Sequence, residues 1–343
     1  MDAACPAACD RLESAPFVRN RASARTCCFM FKTACFFRIA DDFVLPPLEA
    51  LEEALQATRF VPCGPTQPDS HGWVPPRGNK SIALVESVGG QLILKLCTER
   101  RPLPASAVKA AVDERVEKYK QESGNERVSA RVKKEFKEEV VLDLLPRAFT
   151  KRSSTLVWLD PVNKFLVVDS GSLSGADKVV TCLVEALSEV PGSRPSVGVR
   201  PVQTNETAVA CMSHWLATRE APVSFTVDRD CELKTPDDQK SAVRYSRHTL
   251  EIDEVAQHIA EGKLPTQLAM TWDDRVSFVL TESAQVRKLK LLDVVMDGVQ
   301  KGGKDDDGFD TDAAILTGEL SALLPDLLEA LGGEVEAEST AAA

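Results

Sequence analysis

Two stretches of helical periodicity, residues 106–122 and 126–145, are separated only by Ser123-Gly124-Asn125 and closed by Leu144-Leu145-Pro146. So short a break turns the second helix back along the first, which makes this part of the chain a projecting helical hairpin. Pro146 has no backbone N–H and disfavours helical geometry in the residue before it, so the second helix should end there. Arg147 and Phe149 then ride on a short, stiff turn, with Lys133, Lys134 and Lys137 before it and Lys151 and Arg152 after it. A phenyl ring on a basic loop tip suits contact with something outside the chain. The alternative is a Phe folded back into its own core, where most Phe side chains lie.

The chain has 343 residues, long for one core, and two or three lobes are expected. No apolar run approaches the ~18 residues of a membrane helix, so a soluble protein with no membrane partner is expected. The formal charge of −11 at first argues against a polyanionic partner. Its distribution argues otherwise. From Lys304 onward there is one basic residue against eleven acidic ones, whereas between Arg101 and Arg152 thirteen Lys/Arg face nine Asp/Glu. Phosphate binding depends on the local field, so a basic middle is compatible with nucleic acid. The competing interpretation is a solvated helix surface laced with i,i+4 pairs such as Lys134 with Glu138.

Outside the hairpin the pattern is α+β, in several mixed lobes of β-meanders and hairpins packed with helices. Strands are expected at 31–39, 59–63, 82–88, 91–97, 155–160, 164–169, 197–202, 225–233 and 242–245, and as a meander at 268–271, 276–280 and 286–292. Gly89-Gly90 marks a primed turn, and Gly72-Trp73-Val74-Pro75-Pro76 reads as a turn with an apolar anchor. Helices are expected at 45–58, 174–190, 206–218, 252–261 and 313–331, with an acidic loop capping the last one at Asp312. This divides the chain into a foreign-looking extension (1–29), an N-terminal α+β lobe (30–100), the basic hairpin (101–153), a central and C-terminal α+β region (154–303) and an acidic helix with a disordered tail (304–343). Residues 1–29 lack the 7–15-residue apolar core of a secretory signal and suit a disordered segment or an upstream start.

Enzymatic chemistry finds no foothold. Ten cysteines are present, but none of the six after Met30 belongs to a CxxC pair or has a His at ligand spacing, so no metal site is expected. A reducing cytosol fits them best. Gly298, Gly302-Gly303 and Lys304 have the wrong spacing for a phosphate loop. Asp305-Asp306-Asp307 with Asp310 and Asp312 fails the calcium-loop pattern. No cofactor and no catalytic residue are expected.

Seven blocks then occur in order: Met30-Phe31-Lys32, Arg59-Phe60-Val61-Pro62-Cys63-Gly64, Gly72-Trp73-Val74-Pro75-Pro76, Leu144-Leu145-Pro146-Arg147-Ala148-Phe149, Trp158-Leu159-Asp160, Ile315-Leu316-Thr317-Gly318-Glu319-Leu320 and Leu328-Glu329-Ala330-Leu331-Gly332-Gly333-Glu334. Together they resemble the bacterial recombination-associated RdgC family, over residues 30–334. The resemblance implies a non-catalytic protein of the cytoplasm and nucleoid that forms a ring-shaped homodimer around double-stranded DNA. It implies binding with little sequence preference and antagonism of the RecA recombinase.

The same resemblance implies site roles. Leu144, Leu145 and Phe149 would form one of two ring-closing contacts, with Phe149 against its two-fold mate. Lys133, Lys134, Lys137 and Arg147 would lie near the hole, with Lys151 and Arg152 beside them. Arg244, Arg247 and His248 match a second DNA-facing stretch, although His248 stands where the family usually has Gln. The rival function is a protein-interaction module that meets a recombinase or nuclease through the acidic C-terminal helix.

Overall fold

Short apolar runs, such as residues 92–94 and Phe165–Val168, build the central strands, and their order in space is set by one strand near the start. A computed structural model describes residues 31–124, 127–188, 190, 198–236, 241–297 and 308–335. Expectations for residues 1–29, the Gly-Gly-Lys and triple-Asp stretch, and the tail beyond 335 lie outside the described residues. The strands are β1 (Thr33–Ile39), β2 (Asp69–Trp73), β3 (Val85–Val88), β4 (Gln91–Arg100), β5 (Lys151–Asp160), β6 (Phe165–Val168), β7 (Val199–Pro201), β8 (Phe225–Lys234), β9 (Ala242–Tyr245), β10 (Leu264–Trp272), β11 (Val276–Thr281) and β12 (Val286–Leu291). The helices are α1 (Leu48–Ala57), α2 (Ala105–Ser123), α3 (Ala130–Leu144), α4 (Leu173–Ser188), α5 (Ala208–Thr218), α6 (Asp253–Ala260), α7 (Asp293–Met296) and α8 (Phe309–Ala330).

All twelve strands join one open, mixed-connection sheet in the order β2-β4-β5-β6-β1-β12-β11-β10-β8-β9, with β3 on β4 and β7 on β1. Every named pairing is antiparallel. The seam is β1. One edge pairs with β6 through Cys35 to Arg38; the other meets β12 at Thr33 and Ala34 and β7 from Phe37 to Ile39. The protein is therefore α+β, with two half-sheets sharing one strand.

The N-terminal half is covered on both faces. Leu51 and Leu55 of α1 and Leu183 and Leu187 of α4 close one face against Phe37, Leu94 and Leu166. On the other face Ile93, Trp158 and Val167 join a core with Leu316, Leu320 and Leu324 of α8 and with Leu268, Phe278 and Leu280 of the C-terminal half. Helix α8 is thus packed between the two half-sheets, which explains its length and apolar content. The reverse face of β8 to β12 carries polar and charged residues.

Several local expectations change. Residues 59–63 form no strand; Arg59 makes a single parallel bridge to Trp73. The strand is instead Asp69–Trp73, so Gly72-Trp73 is not a turn, and Trp73 is fully buried. A side chain at Gly72 would meet the Phe60 backbone at 2.5 Å, so only glycine lets these segments approach. Asp312 does not cap α8. Gly308 occupies that position and Asp312 is buried in the first turn. Gly89 and Gly90, at φ 58° and 84°, make the primed turn expected between β3 and β4.

Candidate nucleic-acid interface

The hairpin stands on a thin apolar base. Its helices run antiparallel, tied by Arg115 to Glu139 (2.7 Å) and to Asp143, and by the Tyr119 and Phe136 rings 5.7 Å apart. Only Val108, Val116 and Val140 are buried along α2 and α3, and none of them enters the two main cores. Ser129 caps α3 by accepting the Val132 N–H at 3.3 Å.

Pro146 ends the α-helix at Leu144 as expected, but the chain continues as a 3₁₀ turn through Arg147. Leu145 takes helical geometry in spite of the following proline, at φ −53° and ψ −45°. Arg101 explains how it is held. Its Nη1 donates to the carbonyls of Leu145 (3.3 Å) and Ala148 (3.1 Å), and its Nη2 donates to that of Cys63 (3.3 Å). Arg101 pins the foot of the hairpin to the body.

This geometry corrects one expected contact. Leu145 is 2 % exposed, packed inside its own chain, and offers no surface to a partner. Leu144 is half-buried, while Phe149 is 92 % exposed and Leu142, on the last turn of α3, is exposed as well. The ring does not fold back.

The basic residues divide by what holds them. The side chains of Lys133, Lys137, Arg147 and Lys151 are exposed, with no ion pair or hydrogen bond among the described residues. Lys134 lies 3.8 Å from Glu138, an exposed helix pair of small energetic weight. Arg152 is paired with Glu99 and lies over the Phe60 ring at 5.3 Å, and that carboxylate holds its guanidinium above the ordinary range. Within α2 and within α3 acids and bases are equal in number. The local surplus therefore comes from the ends of the hairpin, where Arg147, Lys151 and Arg152 gather. Arg100 belongs with them. It sits on β4 directly across from Lys151 of β5, a like-charged pair, with Asp69 of β2 across from it on the other side to offset part of the repulsion. Sequence periodicity could not find Arg100, because only strand register reveals its neighbour.

Arg244, Arg247 and His248 lie apart from this group, on and just after β9, with six strands between β9 and β5. Arg244 and Lys234 (2.8 Å) both hold Glu232, whose carboxyl they lower to about 2, Lys234 contributing most. Arg247 donates its backbone N–H to Asp230 Oδ1 at 2.7 Å, the main reason that carboxyl lies below its usual range. His248 is exposed, its Nδ1 2.8 Å from the Thr249 carbonyl. Among the described residues no three His, Cys, Asp or Glu side chains gather where they could hold a metal ion. No helix among them is long and apolar enough to cross a membrane.

Fold and surface together define a class: an α+β protein on one open antiparallel sheet, carrying a helical arm with an exposed aromatic residue at its foot and two separate groups of exposed cations. Residues 29–334 match the family model described as "Putative exonuclease, RdgC". The chain is 43% identical over 309 residues to the recombination-associated protein RdgC of Dechloromonas aromatica, covering 89% of this chain and 98% of that one. It is 40% identical to the protein of that name from Herminiimonas arsenicoxydans and 35% to the one from Bordetella pertussis, each over 305 residues and with the same coverage. The chain belongs to the RdgC family, whose curated members are named for their association with recombination.

Proposed function

We propose that this protein is a non-catalytic, largely sequence-independent binder of double-stranded DNA that closes around the duplex as a ring-shaped homodimer and modulates RecA-dependent recombination in the nucleoid. The observation that carries this is Phe149, bared on a stiff turn between Arg147 and Lys151. A phenyl ring almost wholly in water is unfavourable to the isolated chain and suits a self-complementary contact with its two-fold mate. The cations around it suit phosphates, whose contacts position a duplex without reading its sequence.

The rival interpretation, docking of a recombinase or nuclease on the acidic C-terminal helix, loses support from the packing of α8. Three of its five acids are already engaged: Asp310 with Arg77, Glu319 with Arg275, and Asp326 with the Trp272 indole at 2.8 Å. Titration of duplex DNA by band shift across a salt series tests the proposal. The logarithm of affinity should fall linearly with the logarithm of salt, by about 0.9 per phosphate neutralised. Absence of salt-dependent binding would sink it. Release of nucleotides from linear duplex in the presence of Mg²⁺ or Mn²⁺ would instead favour the exonuclease of the family description.

A further inference from the structure

Lys288 lies in a stretch whose apolar spacing is irregular. Val286, Leu289 and Leu291 all enter the same core, yet in an even strand Val286 and Leu289 would face opposite ways. The ladder resolves the conflict with a bulge. Val279 opposes Arg287 and Ser277 opposes Lys290, so Lys288 and Leu289 together face Phe278. Lys288 absorbs the extra residue in left-handed backbone, φ 52°, a region lysine seldom visits. Its side chain is exposed and has no ion pair or hydrogen bond among the described residues.

A second distortion faces it. On β8 three residues, Asp228, Arg229 and Asp230, lie against the single Ala269 of β10. This carries Asp230 toward both Arg247, itself left-handed at φ 53°, and Lys288, whose charge helps depress the Asp230 carboxyl. Asp230, Glu232, Arg244, Tyr245 and Lys288 line a cavity of about 310 Å³ on the polar face of the C-terminal half-sheet. Both carboxylates there are engaged, Glu232 by Lys234 and Arg244 and Asp230 by the Arg247 N–H, so they brace cations. Lys288 on the cavity wall and the Arg247 side chain, outside that wall, both lie near Asp230, which a neutral N–H leaves charged, and neither cation is held in an ion pair among the described residues.

We infer that Lys288 and Arg247 form the two jaws of a seat for one backbone phosphate of nucleic acid. The inference rests on the DNA-binding function proposed above. The test is a fluorescence-anisotropy titration of duplex DNA over a salt series with the full chain and three variants. Lys288→Gln should flatten the salt slope by about 0.9, and Lys288→Arg should restore it. Lys288→Gly, which favours the positive φ and removes the whole exposed side chain with its amine, should reproduce the loss and decides the matter if Lys288→Gln folds poorly. Wild-type affinity and slope in Lys288→Gly would overturn the seat while leaving DNA binding intact. A wild-type chain that binds no duplex would overturn the underlying function, and this inference with it.

Discussion

The hairpin and the C-terminal half-sheet both present cations, but they support them in opposite ways. On the hairpin Lys133 and Lys137 extend into solvent from an element with three buried valines along its helices, with Arg147 at its foot and Lys151 at the start of β5. On the half-sheet the Arg244 guanidinium is held by Glu232, Asp230 holds the Arg247 backbone, and the sheet beneath them closes the largest core of the molecule. A charge on a thin support can be moved without unfolding the body; a charge held by a buried carboxylate cannot. The hairpin is therefore built to adapt and the half-sheet to hold a fixed geometry.

Truncation in the body core and in the hairpin should separate them most clearly. Leu320 is fully buried between the half-sheets, and Leu320→Ala should cost the whole protein about 2–5 kcal/mol in urea unfolding. Val140→Ala should instead speed hydrogen exchange along α2 and α3 while leaving the global midpoint nearly unchanged, because the arm can open alone. Equal shifts of the midpoint would mean that arm and body unfold together, and the contrast would fail.

That contrast was only half legible in the sequence. The hairpin was readable because Gly124, Pro146 and helical periodicity act over a few residues. The α+β class was readable for the same reason. What periodicity cannot carry is which strands meet: Arg100 beside Lys151, or β12 against β1, follows from pairings far apart in the chain. Gly72-Trp73-Val74-Pro75-Pro76 misled because Gly and Pro usually mark turns, whereas here Gly72 serves close backbone approach within a strand. Leu145 misled because its burial is a matter of tertiary contact: its carbonyl is held by Arg101, over forty residues away, and its side chain is packed inside the chain. The Lys288 bulge did leave a trace, the odd spacing between Val286 and Leu289.

A smaller effect should appear with pH, and on the half-sheet side. Glu232 titrates at about 2 in the folded chain against an ordinary 4.5, so its pairing stabilises the fold above pH 4.5 and is lost as pH falls toward 2. Its partners Lys234 and Arg244 are partly solvated, which limits the contribution to about 1–2 kcal/mol. Urea midpoints measured between pH 5 and pH 2.5 should fall more steeply in the wild type than in Glu232→Gln. Parallel curves would show that the carboxylate does not brace Arg244, and the half-sheet would then hold its cations no more firmly than the hairpin does.

The smallest effect on stability should come from the residue with the largest proposed role. Phe149 is 92 % exposed, so Phe149→Ser should change the unfolding free energy by less than about 0.5 kcal/mol. If the ring is one side of a two-fold contact, the same variant should dissociate to lower mass at micromolar concentration and slip from linear DNA faster than from a closed circle of the same length. Arg147 and Lys151 remain in place in that variant, so its initial affinity for duplex should keep the wild-type salt slope. The two readouts therefore separate closure from phosphate contact. A variant that loses affinity and self-association together would mean that Phe149 meets the DNA itself. A variant that loses stability would place the ring in a core, and the foot of the hairpin would then be part of the fold instead of its clasp.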